Sequence, residues 1–143
     1  MHKIHGGCHC GNLSVEVGLS AEPASYQPRA CDCAYCRQHG AAWLSDATGS
    51  LAISVAHSQE LGIYRQGSEQ AELLFCRRCG GLTAVLLQAG GRTFGAVNSK
   101  AFVATSVTFG AEICVSPQKL APGDKVTRWR ELWFANVSLT TPA

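Results

Sequence analysis

Cys31-Asp32-Cys33-Ala34-Tyr35-Cys36-Arg37 sets three thiols within six residues, in a C-x-C-x-x-C pattern. Cysteines this close are poorly disposed to bridge one another, because a disulfide holds its Cα atoms roughly 5.5–6 Å apart within narrow dihedral limits. They are well disposed to grip one soft cation from a single turn. Zn²⁺ takes four ligands, so three from this loop leave one position to fill. Two readings are open: an exchangeable site whose fourth position takes a substrate, or a structural site completed by a distant ligand. His39 and Cys114 are the candidate distant ligands. A histidine beside a metal loop is more often a surface residue. Cys114, inside the apolar run Ile113-Cys114-Val115, reads more simply as a buried free thiol.

Working outward, seven of the eight cysteines fall into three short clusters, and only Cys114 stands alone. Clustering favours metal over scattered buried thiols. The N-terminal stretch Met1-His2-Lys3-Ile4-His5-Gly6-Gly7 lacks the apolar region of a signal peptide, so a cytoplasmic protein is expected, where thiols stay reduced. Cys8-x-Cys10 and Cys76-x-x-Cys79 together supply four thiolates, a complete tetrahedral set, and a closed set is structural. Such a set clips the start of the chain to its middle. It offsets loop-closure entropy, so that metal binding becomes folding free energy.

The 143 residues suit one domain; 46% are apolar and 15% charged, enough to bury a sizeable core. The net charge of +2 and the absence of a basic tail argue against nucleic acid. No apolar stretch approaches the roughly 18–20 residues of a membrane span.

Leu13 to Val17 alternates apolar and polar, the pattern of a half-buried strand. Residues 33–39 fit one short helical turn ended by Gly40. Ala41–Ser45, Leu51–Val55 and Leu61–Arg65 read as strands; Ala71–Phe75 runs into the third cluster, and Leu82–Gln88, apolar and partly β-branched, turns at a Gly90-Gly91 hairpin and returns through Arg92–Asn98. Phe102–Phe109 and Ile113–Val115 also read as strands, and Pro117–Asp124 as a loop. Val126–Phe134 fits either a strand or an amphipathic helical turn, since Trp129, Leu132 and Trp133 share a helical face. Short strands at close spacing predict an all-β or β-rich sandwich.

Charge indicates what the middle cluster does. Zn²⁺ with three thiolates carries a net −1, which weakens it as a Lewis acid toward water but leaves it able to hold a thiol as a thiolate. The residue types therefore point to a thiol substrate, with Arg37 offsetting local negative charge. Asp32 adds a carboxylate beside an anionic site. On electrostatic grounds it weakens thiol binding, so that Asp32→His tightens it. The competing reading is that Asp32 orients Arg37 as a hydrogen-bond acceptor.

The ordered set Gly7-Cys8-His9-Cys10-Gly11, Cys31 to Arg37 with Gly40-Ala41-Ala42-Trp43, and Phe75-Cys76-Arg77-Arg78-Cys79-Gly80 resembles the glutathione-dependent formaldehyde-activating enzyme family, which includes centromere protein V-like proteins. The resemblance takes residues 1–143 as one such zinc domain and is strongest over 6–98. It implies a zinc-bound β-sandwich similar to methionine sulfoxide reductase B (Mss4-like) proteins. It also implies a structural zinc at Cys8, Cys10, Cys76 and Cys79, and a catalytic zinc at Cys31, Cys33 and Cys36, two per chain. A three-ligand site gives up its metal more readily than a closed one. The implied activity is that of a carbon–sulfur lyase joining formaldehyde and glutathione to S-hydroxymethylglutathione. The family commonly carries His where this chain has Asp32. Glutathione has two carboxylates, so basic residues should line its approach; Arg37, Arg65, Arg77, Arg78 and Arg92 are the candidates. The alternatives are a non-catalytic zinc-binding interaction module of the centromere protein V-like type and a redox protein using the middle cysteines as a switch.

Overall fold

The computed structural model describes residues 1–142. Two sheets pack face to face. The smaller has four strands, β1 (His2–Gly7), β2 (Leu13–Leu19), β5 (Ser50–Val55) and β11 (Asn136–Thr140), in the order β1-β2-β5-β11. The larger has seven, in the order β10-β3-β4-β9-β8-β7-β6. These are β3 (Arg29–Cys31), β4 (Ala42–Leu44), β6 (Leu61–Tyr64), β7 (Ala71–Cys76), β8 (Leu82–Ala89), β9 (Arg92–Asn98) and β10 (Ile113–Val115). Pairing is antiparallel except at two edges, where β10 joins β3 and β11 joins β5 in parallel. The chain is β-rich, as its short strands predict.

Alternation along the strands builds two apolar layers. Val15, Val17, Leu51 and Ile53 of the small sheet meet Leu74, Ala84, Leu86 and Val97 of the large one. The intervening residues Leu73, Val85, Leu87 and Ala96 face the other side of the large sheet. Two α-helices, α1 (Ala34–His39) and α2 (Pro122–Leu132), flank that face, and Val126, Trp129 and Leu132 of α2 pack against its apolar layer. Covering on both sides explains why Leu82–Leu87 is buried at every position and apolar except at Thr83, whose hydroxyl donates to the Gly81 carbonyl. Among the described residues no helix is long and apolar enough to cross a membrane.

Three expectations change. Phe102–Phe109 is no strand: a 3₁₀ turn at Ser99–Phe102 is followed by irregular backbone. Asn98 diverts the chain there. Its side chain accepts from the amides of Ala42 and Lys100 and donates to the Leu82 carbonyl, while Phe102 and Phe109 pack edge to face at 5.7 Å. Val126–Leu132 resolves as helix, which begins as early as Pro122 with that proline in its first turn, while Trp133 is extended and Phe134 bridges to Gly95. Cys114 is exposed, because β10 is a three-residue edge strand lying on β3 alone. The strands β1, β3 and β11 were not expected from the sequence, although Val137 and Leu139 of β11 alternate with polar residues.

Candidate metal centres and the cavity beside them

Cys8 and Cys10 lie in the connection of the β1–β2 hairpin. Cys76 ends β7, and Cys79 lies in the turn to β8. The closed set therefore joins one hairpin tip of each sheet. Its four sulfurs lie within 4.8 Å of one another. Cys8 Sγ is 3.8 Å from Cys10 Sγ, which is 3.5 Å from Cys76 Sγ. These separations are far too long for a disulfide. They are close to the edge of about 3.8 Å that Zn–S bonds of about 2.3 Å give an ideal tetrahedron. The second turn is shaped to present its sulfurs. The Gly80 amide donates to the Cys76 carbonyl at 2.8 Å, with Gly80 in the left-handed region at φ 79°. The backbone amides of Leu13 and Arg78 donate to the sulfurs of Cys8 and Cys76, at 3.2 and 3.3 Å, as donors that stabilise thiolate charge. Burial pushes the Cys8 thiol up to about 11. Burial also opposes ionisation of Cys79, but amide donors at Cys10 and Gly81 outweigh it and bring that thiol to about 6.

Cys31, Cys33 and Cys36 form the second set, also within 4.8 Å. Cys31 ends β3. Cys33 caps α1, its sulfur accepting from the Cys36 amide at 3.4 Å, and the helix stops at Gly40 with φ 62°. The three-residue step from Cys33 to Cys36 puts both on one side of that turn. A hydrogen bond from Cys36 lowers Cys31 to about 6, and the same contact, followed by burial, drives the Cys36 thiol up. Both clusters could hold a metal ion, and their donor sets are compatible with zinc.

All three cysteines of the second set line a cavity of about 280 Å³. Its floor is the outer face of the large sheet, with Trp43, Leu73 and Val85. The β6–β7 connection brings Gln66, whose Nε2 donates to Cys33 Sγ at 3.6 Å. The far wall comes from the C-terminal third: Val115, Pro117, Gln118, then Lys125, Arg128, Trp129 and Leu132 of α2, and Trp133. Trp129 and Trp133 stack at 4.9 Å. Arg29 enters from β3. Its guanidinium donates to Ser45 Oγ at 2.6 Å, and Ser45 Oγ donates to the Leu132 carbonyl at 2.8 Å. Burial, and then the charge of Arg128, lowers its pKa.

None of the five arginines expected on the approach lines this cavity. Arg37 is exposed on α1; Arg65 pairs with Glu72 at 2.8 Å; Arg77 and Arg78 flank the closed set; Arg92 lies over the Phe94 ring. His39 packs its ring against Tyr35, tilted by 43° with the centroids 4.5 Å apart, and neither it nor Cys114 joins the three sulfurs. Asp32 does not pair with Arg37. Its carboxylate accepts from Ser116 Oγ and, at 3.1 Å, from Gln118 Nε2, tying the cysteine loop to the far wall. Arg29 was legible in hindsight, because two residues before Cys31 on a strand means the same face. Lys125, Arg128 and Trp129 carry helical spacing, but nothing local says which way that helix faces.

Residues 3–116 match the model of a family described as glutathione-dependent formaldehyde-activating enzyme. The crystal structure of a Rhodobacter sphaeroides protein is similar over 96% of this chain and 100% of its own, at 26% identity and a TM-score of 0.50. No curated protein matches the chain.

Proposed function

Since the chain belongs to the glutathione-dependent formaldehyde-activating enzyme family, we propose that it is a cytoplasmic zinc enzyme, with residues 1–143 acting as one domain. It makes and breaks the carbon–sulfur bond between a glutathione-type thiol and a small carbonyl compound. One observation carries this reading: the Cys31, Cys33 and Cys36 sulfurs open together onto a cavity with basic and aromatic walls.

In this reading Cys8, Cys10, Cys76 and Cys79 hold the structural zinc, and Cys31, Cys33 and Cys36 the exchangeable one. Zinc bound at the second set supplies Lewis acidity that favours the thiolate form of a bound thiol. The chain supplies the rest. The Gln66 amide draws charge from Cys33 through its hydrogen bond. Trp43, Trp129 and Trp133 keep bulk water from the thiol and strengthen the electrostatics inside. Arg29, Lys125 and Arg128 offset negative charge, the role that the sequence suggests for Arg37. In the synthetic direction the thiol sulfur bonds the carbonyl carbon, the π pair moves to oxygen, and the thiol proton ends on that oxygen. Cleavage is the reverse.

The test is exchange between glutathione, formaldehyde and their hemithioacetal, followed by NMR against the spontaneous rate. Protein carrying two zinc ions per chain should accelerate exchange, and Cys33→Ser should abolish the acceleration. No acceleration by the two-zinc protein overturns the proposal.

A further inference from the structure

The cavity wall carries three cations, Arg29, Lys125 and Arg128, and no carboxylate. Among the described residues none of the three forms an ion pair. Arg29 is the telling one. It is half-buried, and among the described residues the only hydrogen bond of its guanidinium goes to Ser45 Oγ. A guanidinium has five N–H donors in a rigid fork, so most of that fork is left for something else. Arg128 and Lys125 line the same wall with no acidic group on it to balance them, an arrangement that suits an anionic ligand. Even against the net −1 of a zinc held by three thiolates, the cavity keeps a surplus of about two positive charges.

The strand fixes the spacing. Arg29 and Cys31 are two residues apart on β3 and share its cavity face, roughly 6.6 Å along the strand. In a thiol tripeptide the carboxylate one residue beyond the cysteine lies roughly 7 Å from the sulfur in an extended backbone. The glutamyl end of glutathione differs, because its carboxylate comes with an ammonium group. An ammonium finds no acidic partner on this wall.

Resting on the thiol reading above, we infer that Arg29 and Arg128, with Lys125 beside them, form an anion subsite that takes the glycyl carboxylate of a glutathione-type thiol. The substrate is recognised from its carboxyl end. The tryptophan wall covers the connecting peptide plane, and the γ-glutamyl head is left at the mouth.

All three tryptophans of the chain line the cavity, so intrinsic fluorescence reports its occupancy directly. The probes carry no free thiol, so their binding is read apart from any sulfur–metal bond. They are S-methylglutathione, N-acetyl-S-methylcysteinylglycine, which lacks the glutamyl head, and S-methylglutathione glycinamide, in which the glycyl carboxylate is a neutral amide. The first two should bind within about threefold of each other, and the third about tenfold more weakly or worse. Arg29→Gln, which can keep the Ser45 contact, should bring the first two down to the level of the third. Arg29→Lys should recover part of the loss. Arg128→Gln, at an exposed position of α2, should weaken the same two and leave the third unchanged. Equal binding of all three probes, unchanged affinity in Arg29→Gln, or no fluorescence response up to about 10 mM probe overturns the subsite. If the pattern holds while zinc-loaded protein fails to accelerate hemithioacetal exchange, the subsite stands and the activity falls. If exchange is accelerated with the same KM for glutathione in Arg29→Gln, the subsite falls alone.

Discussion

Cys79→Ser removes one sulfur from the set that joins the two sheets. The side chain is half-buried and serine is nearly its size, so lost packing is a small part of the effect. The large part is closure. Cys10 and Cys76 are 66 positions apart, and the metal would fix them with their sulfurs 3.5 Å apart. By the chain-entropy relation used for disulfides, closing a loop of that length is worth about 4 kcal/mol at 25 °C. A domain of this size has about 5–15 kcal/mol in all. At about 3–4 °C per kcal/mol, the melting temperature should fall by roughly 10–15 °C. The assay is thermal unfolding by circular dichroism, with zinc content measured on the same preparation. Zinc should fall from two to one per chain, and wild-type protein stripped by a strong chelator should melt near the variant. A Cys79→Ser protein with wild-type melting temperature and wild-type zinc would refute both the assignment and the closure argument.

Cys33→Ser should cost less than about 1 kcal/mol, because serine also caps the helix that Cys33 starts. Zinc content should still drop by one and thiol binding should vanish, whereas an unfolded product would make this second site structural. Asp32→His should weaken glutathione binding by about tenfold, because histidine cannot replace a carboxylate that accepts from both Ser116 and Gln118. Tighter binding in a titration, the result expected from charge repulsion alone, would show that this tether is unimportant. Asp46 accepts five hydrogen bonds from Ser20, Tyr26 and Thr48, which outweigh the effect of burial and hold its carboxyl well below the usual range. A depressed native pKa contributes stability that is present above the unfolded value of about 3.9 and lost as pH falls below it. After allowance for solvent screening, Asp46→Asn should cost roughly 1 kcal/mol near neutral pH. In urea unfolding, the gap to wild type should narrow near pH 3, and a gap independent of pH would contradict the sign.

Both cysteine sets were legible because ligand spacing is local chemistry: two residues in a knuckle must approach one ion wherever the knuckle ends up. The pairing of Cys8 and Cys10 with Cys76 and Cys79 came from counting to four. Most strands from Leu13 to Asn98 were legible because alternation and turn glycines act over a few residues; β3, three residues long and only half-buried, carries no such pattern. What failed depended on tertiary placement. Arg37 is adjacent to a ligand in sequence, yet a helix turn carries it to the outside, while Arg29 faces the cavity through the period of a strand. Ile113-Cys114-Val115 has the composition of a core strand but sits at an edge, with only Val115 of the three lining the cavity. Phe102 and Phe109 are apolar enough for a strand, but they plug the end of the sandwich from irregular backbone.

The two parallel pairings have a consequence for the order in which the molecule is made. Every antiparallel ladder is complete by Asn98, and both cysteine sets are complete by Cys79. The segment after Gly110 adds the two edge strands, α2 and the core residue Phe134, bridged to Gly95, with the Lys125–Arg128 side of the cavity. A chain leaving the ribosome therefore has both thiol sets in hand while the cavity is still a trough. The same division makes the later segment an exchangeable cassette. Another sequence with the same two edge strands and the same reach between them could present different side chains to the trough without moving a single sulfur.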